Sequence, residues 1–258
     1  QKITQSKLTI KEQFILTLVR LRRFPSLAML SALFGISTAL VSRISITWVL
    51  FMEKELDFLL NFTTLEEMEG LKRPKVYRDI KYEKLRAIID CTEFNIEKPS
   101  LPSSQRRTYS NYKSHNTFKL LVSLSPICHF NFLSKLYTGC ISDKEIVRAS
   151  GFLELLQPGD CVMADKGFNI QDLLAVRNVR LLAPPIMAKN KESARASTAT
   201  RRVARARVHV ERMIRKLKCY RMLKSVTPLS LKGYITSIVR VCAALVNLQP
   251  SLIRFEAD

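Results

Sequence analysis

The sequence has few of the residues that build zinc sites and disulfide frameworks. Its six cysteines, at positions 91, 128, 140, 161, 219 and 242, form no Cys-x-x-Cys pair, and its three histidines complete no zinc-ligand spacing. This pattern favours free thiols in a reducing compartment over a disulfide-bonded secreted protein. We therefore expect neither zinc nor disulfide bonds.

Acidic residues are also scarce. The 258 residues include 22 Asp and Glu against 42 Lys and Arg, a net charge of +20. Such an excess points to a polyanionic partner, either nucleic acid or an anionic membrane surface. Because 47% of the residues are hydrophobic, the chain is not a disordered basic tail, and its length suits one or two domains.

Long uninterrupted apolar runs are missing as well. The most apolar stretch, residues 26–52, is broken by Arg43 and by several Ser and Thr residues. A membrane-spanning helix needs about 20 predominantly apolar residues, so we expect no membrane partner. No signal peptide and no internal repeat is visible, and the first residue is Gln, which is compatible with a piece of a longer protein.

The most basic stretch, residues 200–224, has the apolar periodicity of a long helix. From Lys189 to Lys224 there are thirteen Lys and Arg residues and only two acids, one of which is Glu211. Glu211 either pairs with Arg207 and Arg215, one helical turn away on each side, or faces a metal site. The helix alone does not decide between these interpretations.

The N-terminal part predicts a helix-turn-helix. Helices over residues 8–23 and 27–34 are followed by a turn at Gly35 and by a third helix that continues to about residue 60. Val41 and Ile44 would face inward. The third helix would present to a DNA groove the short polar and basic residues Ser37, Thr38, Ser42 and Arg43. The alternative is an ordinary helical hairpin.

Beyond a linker at 63–82, strands alternate with helices, which predicts an α/β domain over 83–258 after a helical domain at 1–62. The first expected strand begins with the buried run 85–90, which ends in Asp90, and goes on into the alternating CTEFNIEKPS as an edge. The other expected strands cover residues 118–126, 127–139, 161–165 and 179–185. The expected helices cover 142–157, 170–177, 200–224 and 229–248. Residues 99–117 are expected to be a loop that mixes tyrosines with Arg106, Arg107 and Lys113, as nucleic-acid surfaces do.

Three acids stand where such a domain places its chemistry. Asp90 ends the buried run of one predicted strand, Asp165 ends another strand, and Glu211 lies on the basic helix. Carboxylate oxygens from two strands and a helix are the ligands that a pair of Mg²⁺ ions needs. Asp143 is interpreted as a supporting or loop residue and Asp160 as a turn acid.

Several segments closely resemble the DDE-superfamily endonuclease domain of Harbinger-like eukaryotic transposases. They are IIDCTEFNIEKPS, YSNYKSHNTFKLLVSLSP, ISDKEIVRASGFLELLQPGDCVMADKGF and RRVARARVHVERMIRKLK. The N-terminal LTIKEQFILTLVRLRR and LAMLSALFGISTALVSRI resemble the helix-turn-helix that precedes that domain. The resemblance covers about Leu8 to Leu231, although AKNKESARASTATRR has lost most of the acids and leucines usual in that loop.

The resemblance implies an RNase H-like mixed sheet, two Mg²⁺ or Mn²⁺ ions, and cleavage and joining of DNA at transposon ends. The family's three acids fall on Asp90 in IIDCTE, Asp165 in MADKGF and Glu211 in HVER. Flanking cations that would hold phosphates are Lys166, Arg207, Arg212 and Arg215.

The implied partners are double-stranded DNA of the transposon ends and of the target, a second copy of the chain, and a separate DNA-binding protein if one is used. The implied location is the nucleus. Two competing functions stay open: a domesticated DNA-binding protein that no longer transposes, and a nuclease acting on RNA–DNA hybrids.

Overall fold

The N-terminal residues form three helices. The structure, a computed structural model, describes residues 8–68, 77, 84–165, 167–183 and 208–250. Helix α1 (Ile10–Arg23) is followed by α2 (Leu27–Phe34) and α3 (Thr38–Glu55). Hydroxyl groups of Thr9, Ser26 and Ser37 accept hydrogen bonds from the first turns of the three helices, which is why each helix begins where it does.

The turn between α2 and α3 has the geometry of a helix-turn-helix. Gly35 ends α2 with φ 64°, a left-handed conformation that glycine adopts without steric cost, and the axes of the two helices differ by 97°. Val41 and Ile44 are buried against α1 and α2 as predicted. The third helix is shorter than predicted, because a 3₁₀ turn over Asp57–Leu60 follows the end of α3.

In the predicted linker the structure describes one short helix, α4 (Leu65–Met68). Most of residues 69–83 lie outside the described part, so the predicted domain boundaries stay predictions.

The described part of the C-terminal region contains a mixed sheet of seven strands. They are β1 (Leu85–Asn95), β2 (Tyr109–Ser110), β3 (His115–Leu124), β4 (Phe130–Leu133), β5 (Tyr137–Thr138), β6 (Cys161–Met163) and β7 (Arg180–Leu182). Five of them follow the order β2-β3-β1-β6-β7, and β4 and β5 also pair with β3. Strand β1 is antiparallel to β3 and parallel to β6, which is parallel to β7. This arrangement agrees with the predicted RNase H-like α/β class.

Helices cover both faces of the sheet. They are α5 (Pro102–Thr108), α6 (Asp143–Ala149), α7 (Gln171–Ala175), α8 (described over 208–217), α9 (Arg221–Lys224) and α10 (Ile235–Asn247). The first face, with Ile88 and Met163, packs against α8 and α10. The second face, with Ile89 and Val162, packs against α6 and α7. Successive residues of β1 alternate between these two cores because side chains in a strand alternate in direction.

Several more predicted elements differ from the structure. The strand expected over 127–139 is two short strands, β4 and β5, and the helix expected over 229–248 begins at Ile235, after a 3₁₀ turn. The helix expected over 142–157 is broken, because Gly151 (φ 79°) separates α6 from a 3₁₀ turn at Phe152–Leu155. The loop expected at 99–117 contains α5 and β2. The basic helix ends at residue 217, a turn precedes α9, and residues 200–207 lie outside the described part.

A buried ion pair ties β1 to the start of β6. Arg86 Nη1 lies 3.1 Å from Asp160 Oδ2, and both side chains are almost fully buried. The same carboxylate oxygen accepts a hydrogen bond from the Gln157 backbone N–H, and the guanidinium lies over the ring of Phe62. Asp160 is therefore more than the turn acid that the sequence suggested.

The helix-turn-helix packs onto the sheet domain. Leu21 of α1 and Val49 and Met52 of α3 belong to the same hydrophobic core as Ile238 of α10. Arg20 is buried at this contact, its Nη1 has no hydrogen-bond partner among the described residues, and burial lowers its pKa.

Among the described residues, no single helix is both long and apolar enough to cross a membrane. Only α2 and α3, taken together as a bent pair, have the necessary length and composition.

Candidate active site and nucleic-acid interface

Two of the three predicted acids follow a paired position of two adjacent parallel strands. The pairing of β1 with β6 includes Ile88 with Met163. Asp90 lies two residues further along β1, where side-chain alternation assigns it to the first face, with α8 and α10, and Asp165 lies two residues beyond the end of β6. Adjacent strands lie about 4.8 Å apart, so the two acids follow positions that are close in space.

Asp90 lies inside its strand. Strand β1 continues to Asn95 and pairs with β3 as far as that residue, so Asp90 comes at the end of the buried run and not at the end of the strand. Pairing with β6 stops before Asp90, and its half-buried side chain lies where the sheet opens. One of its carboxylate oxygens accepts a hydrogen bond of 2.8 Å from the Cys91 backbone N–H.

Glu211 lies on the helix that packs against this same face. Val210, Met213 and Leu217 of α8 are buried in the core of the first face, whereas Glu211 is exposed. The helix that carries Glu211 therefore lies on the face of the sheet to which Asp90 is assigned. Arg207, one of the two ion-pair partners considered for Glu211, lies outside the described residues.

The acids suit a divalent metal in kind, since carboxylate oxygens are the hard ligands that Mg²⁺ and Mn²⁺ bind. Within the described residues, however, no group of three His, Cys, Asp or Glu side chains is placed to hold a metal ion. Asp90, Asp165 and Glu211 therefore do not form one metal site in this arrangement of their side chains.

A lysine that sequence reasoning missed lies beside this face. The amino group of Lys218, the residue after α8, is 5.6 Å from the centre of the Phe94 ring, which belongs to the same face as Asp90. Burial lowers the pKa of Lys218, Lys113 lowers it further, and the carboxylates of Glu93 and Asp90 oppose both effects. The sequence did contain a signal for it, because Lys218 follows Glu211 by seven residues, or two helical turns, and residues at that spacing lie on the same side of a helix.

We expect Lys218 to bind phosphate next to the acids. Lys218→Met should weaken binding of duplex DNA severalfold and reduce the slope of log affinity against log salt by about one, because one phosphate contact is lost. Fluorescence anisotropy at several salt concentrations measures both. Lys218→Arg should retain most affinity, and Lys224→Met, at an exposed position of α9, is the matched control. An unchanged salt slope in Lys218→Met would contradict the assignment.

The second face behind Asp90 carries its own polar cluster. Lys119 Nζ lies 2.6 Å from Asp143 Oδ1, and Thr117 Oγ1 donates a 2.8 Å hydrogen bond to Glu93. Burial alone would lower the pKa of Lys119, but the hydrogen bond and charge of Asp143 outweigh it and raise the pKa. Burial, together with Asp143, raises the pKa of the Cys91 thiol. Asp143 thus pairs with Lys119 of β3 on the face behind Asp90, and its interpretation as a supporting or loop residue stays a prediction.

Most of the residues predicted to contact DNA are accessible. In the helix-turn-helix, Ser37, Thr38 and Arg43 are exposed and Ser42 is half-buried at the start of α3. In the sheet domain the exposed members are Arg106, Arg107, Lys113, Arg212 and Arg215. The remaining two, Lys166 and Arg207, lie outside the described residues.

Comparison with known protein families matches both parts of the chain. Residues 89–247, which include all three acids, match the model of the DDE superfamily endonuclease. Residues 6–58 match the helix-turn-helix of DDE superfamily endonuclease, in agreement with the geometry of α1 to α3. No curated protein matches the chain significantly. The chain therefore belongs to the DDE superfamily of endonucleases and carries that superfamily's helix-turn-helix ahead of its endonuclease domain.

Proposed function

We propose that the protein is a transposase-type DNA endonuclease and strand transferase whose metal ligands are Asp90, Asp165 and Glu211. The observation that supports this proposal is the register of β1 and β6: Ile88 pairs with Met163, two residues before Asp90 and Asp165, on the face against which the helix of Glu211 packs.

The three carboxylates would hold two Mg²⁺ or Mn²⁺ ions. When bound, such ions activate the attacking oxygen and stabilise the leaving oxygen of a phosphodiester. The protein's part would be to position the carboxylates: β1 would hold Asp90, the turn after β6 would hold Asp165, and α8 would bring Glu211 to them when DNA is present. Lys218 and the exposed Arg212 and Arg215 would bind phosphates beside the scissile bond.

Cutting and joining would use the same pocket. Hydrolysis leaves a 3′-hydroxyl on the transposon end, and that hydroxyl then attacks a phosphate of the target. The basic surface would bind the DNA backbone with an affinity that depends on salt. The exposed N-terminal part of α3 would determine which DNA sequence is recognised. Since two transposon ends must be held together, we propose a homodimer or larger assembly that works in the nucleus, alone or with a separate DNA-binding partner.

The direct test is nicking of a supercoiled plasmid in Mg²⁺, Mn²⁺ or EDTA by the wild type and by Glu211→Gln. The proposal expects nicked product with either metal, none in EDTA, and none above background from Glu211→Gln, which keeps the shape of the side chain but not its charge. Activity that persists in EDTA or in Glu211→Gln would reject the assignment. Faster cleavage of an RNA–DNA hybrid than of duplex DNA would instead favour a hybrid-specific nuclease.

A second candidate function is that of a domesticated DNA-binding protein without transposition activity. The observation in its favour is that the described acids do not form a group of three placed for a metal. Such a protein would bind DNA equally well with and without EDTA and give no nicked product. The plasmid assay, run beside an anisotropy titration, separates the two candidates.

A further inference from the structure

An open groove of about 750 Å³ lies beyond the end of β1, away from the acids. Ile96 and Asn116 line it from the sheet, Arg106 from α5 and Tyr109 from β2. The side-chain amide of Asn116 donates to the Gln105 carbonyl and to Thr108 Oγ1, which fixes α5 against β3. One wall of the groove is therefore rigid.

The groove combines an aromatic ring with a cation and polar groups. Tyr109 is 44% exposed, and Arg106, Asn111 and His115 are exposed beside it. Glu97 also lines the groove, and its carboxylate accepts a 2.9 Å hydrogen bond from the backbone N–H of Leu229. An accessible ring beside a guanidinium and hydrogen-bonding side chains is the chemistry that binds unpaired nucleotides.

Cations line the path from the acids to this groove. From Asp90 to Ile96 the strand rises roughly 20 Å, at about 3.3 Å per residue. Lys218 lies over Phe94 along this path, and Lys113 is near enough to lower the pKa of Lys218. A polyanionic strand held at the acids would follow these charges to the groove.

We propose that this groove binds an unpaired nucleotide of the DNA strand held at the acids, with the base stacked on Tyr109 and a phosphate beside Arg106. The inference rests on the proposed function for DNA as the partner. The volume of the groove suits a small ligand of nucleotide size and not a duplex. Within a duplex the faces of paired bases are covered by their neighbours in the stack, so an interior base must be unpaired to offer a face to Tyr109.

The first experiment measures anisotropy in EDTA, where no cleavage occurs, with a labelled blunt duplex and with the same duplex carrying a short single-stranded overhang. The wild type should bind the overhang DNA more tightly. Tyr109→Ala should lose roughly tenfold in affinity for the overhang DNA and little for the blunt duplex, and Tyr109→Phe should retain stacking.

Tyr112→Ala is the matched control, since Tyr112 is 84% exposed on the adjoining turn and does not line the groove. Equal affinity for the two DNAs, or no loss in Tyr109→Ala, would overturn the proposal.

The second experiment uses Cys140, an exposed thiol that lines the groove. In a Cys219→Ser protein, which lacks the other exposed cysteine of the described residues, a short single-stranded oligonucleotide should slow alkylation of Cys140 by iodoacetamide. Tyr109→Ala should abolish this protection. Unchanged alkylation with oligonucleotide, or protection by a polyglutamate peptide alone, would overturn the proposal, and the second result would point to an acidic protein partner.

Both readouts are independent of cleavage. Overhang-specific binding that needs Tyr109 supports the groove even if the plasmid assay shows no nicking. Normal nicking with no effect of Tyr109→Ala refutes the groove and leaves the proposed endonuclease intact.

Discussion

Asp90→Asn should reduce metal-dependent nicking at least about a thousandfold while leaving the protein folded. A bound metal contributes several kcal/mol to stabilising the transition state, and about 1.4 kcal/mol corresponds to a factor of ten in rate. The amide keeps the size of the side chain and one oxygen that can accept from the Cys91 N–H. Initial rates of plasmid nicking in Mg²⁺ measure the effect, and thermal unfolding checks the fold.

The matched control for this variant is Asp172→Asn. Asp172 is an exposed acid of α7, on the second face, where it pairs with Lys144 at 2.8 Å. Its loss should leave the nicking rate unchanged within about twofold, since a surface ion pair contributes little and lies away from the first face. Nicking by Asp90→Asn at the rate of the control would remove Asp90 from the active site.

Asp160→Ala should lower the free energy of unfolding by about 3–5 kcal/mol, because it leaves the buried Arg86 without its carboxylate partner. For a chain of this size each kcal/mol lowers the melting temperature by roughly 2–4 °C, so the loss should be near 10 °C. Urea unfolding followed by circular dichroism gives the free energy, and a thermal scan gives the shift.

A double substitution separates the charge effect from packing. Arg86→Met with Asp160→Leu removes both buried charges together, so it should cost much less than Asp160→Ala alone, as replacement of a buried pair by apolar residues often does. Equal losses in the single and the double variant would show that packing, and not the unpaired guanidinium, dominates. An Asp160→Ala protein as stable as the wild type would contradict the role of the pair.

The helix-turn-helix could be predicted almost residue by residue. Its helices begin at hydroxyl caps and turn at Gly35, features that depend on residues within one or two turns of each other. The end of α3 was less accurate, since the change to a 3₁₀ turn at Asp57 has no strong local signal. The helix expected over 142–157 failed for a related reason: Gly151 interrupts an otherwise helical pattern, and only the structure shows that it adopts a positive φ.

Asp90, Asp165 and Glu211 could be identified from the sequence. A carboxylate that follows an apolar strand is a recognisable position for a site residue, and a single Glu within a strongly basic helix is unusual in charge. Their joint action as metal ligands stays a prediction. Asp160 was interpreted only as a turn acid and Lys218 was not singled out, because their importance comes from Arg86 and Phe94, partners distant in sequence. The groove beside Tyr109 was likewise hidden, since residues 99–117 were expected to be a loop and contain α5 and β2.

The sequence by itself determined the helix caps, the alternation of strands and helices, the basic character and the identity of the three acids, because these depend on local pattern and chemical type. Only the tertiary structure decided which strands adjoin β1 and which core each of its residues enters. Side chains in a strand alternate, so the register that pairs Ile88 with Met163 assigns Ile88 and Asp90 to the first face, and a shift of one residue would move Asp90 to the other.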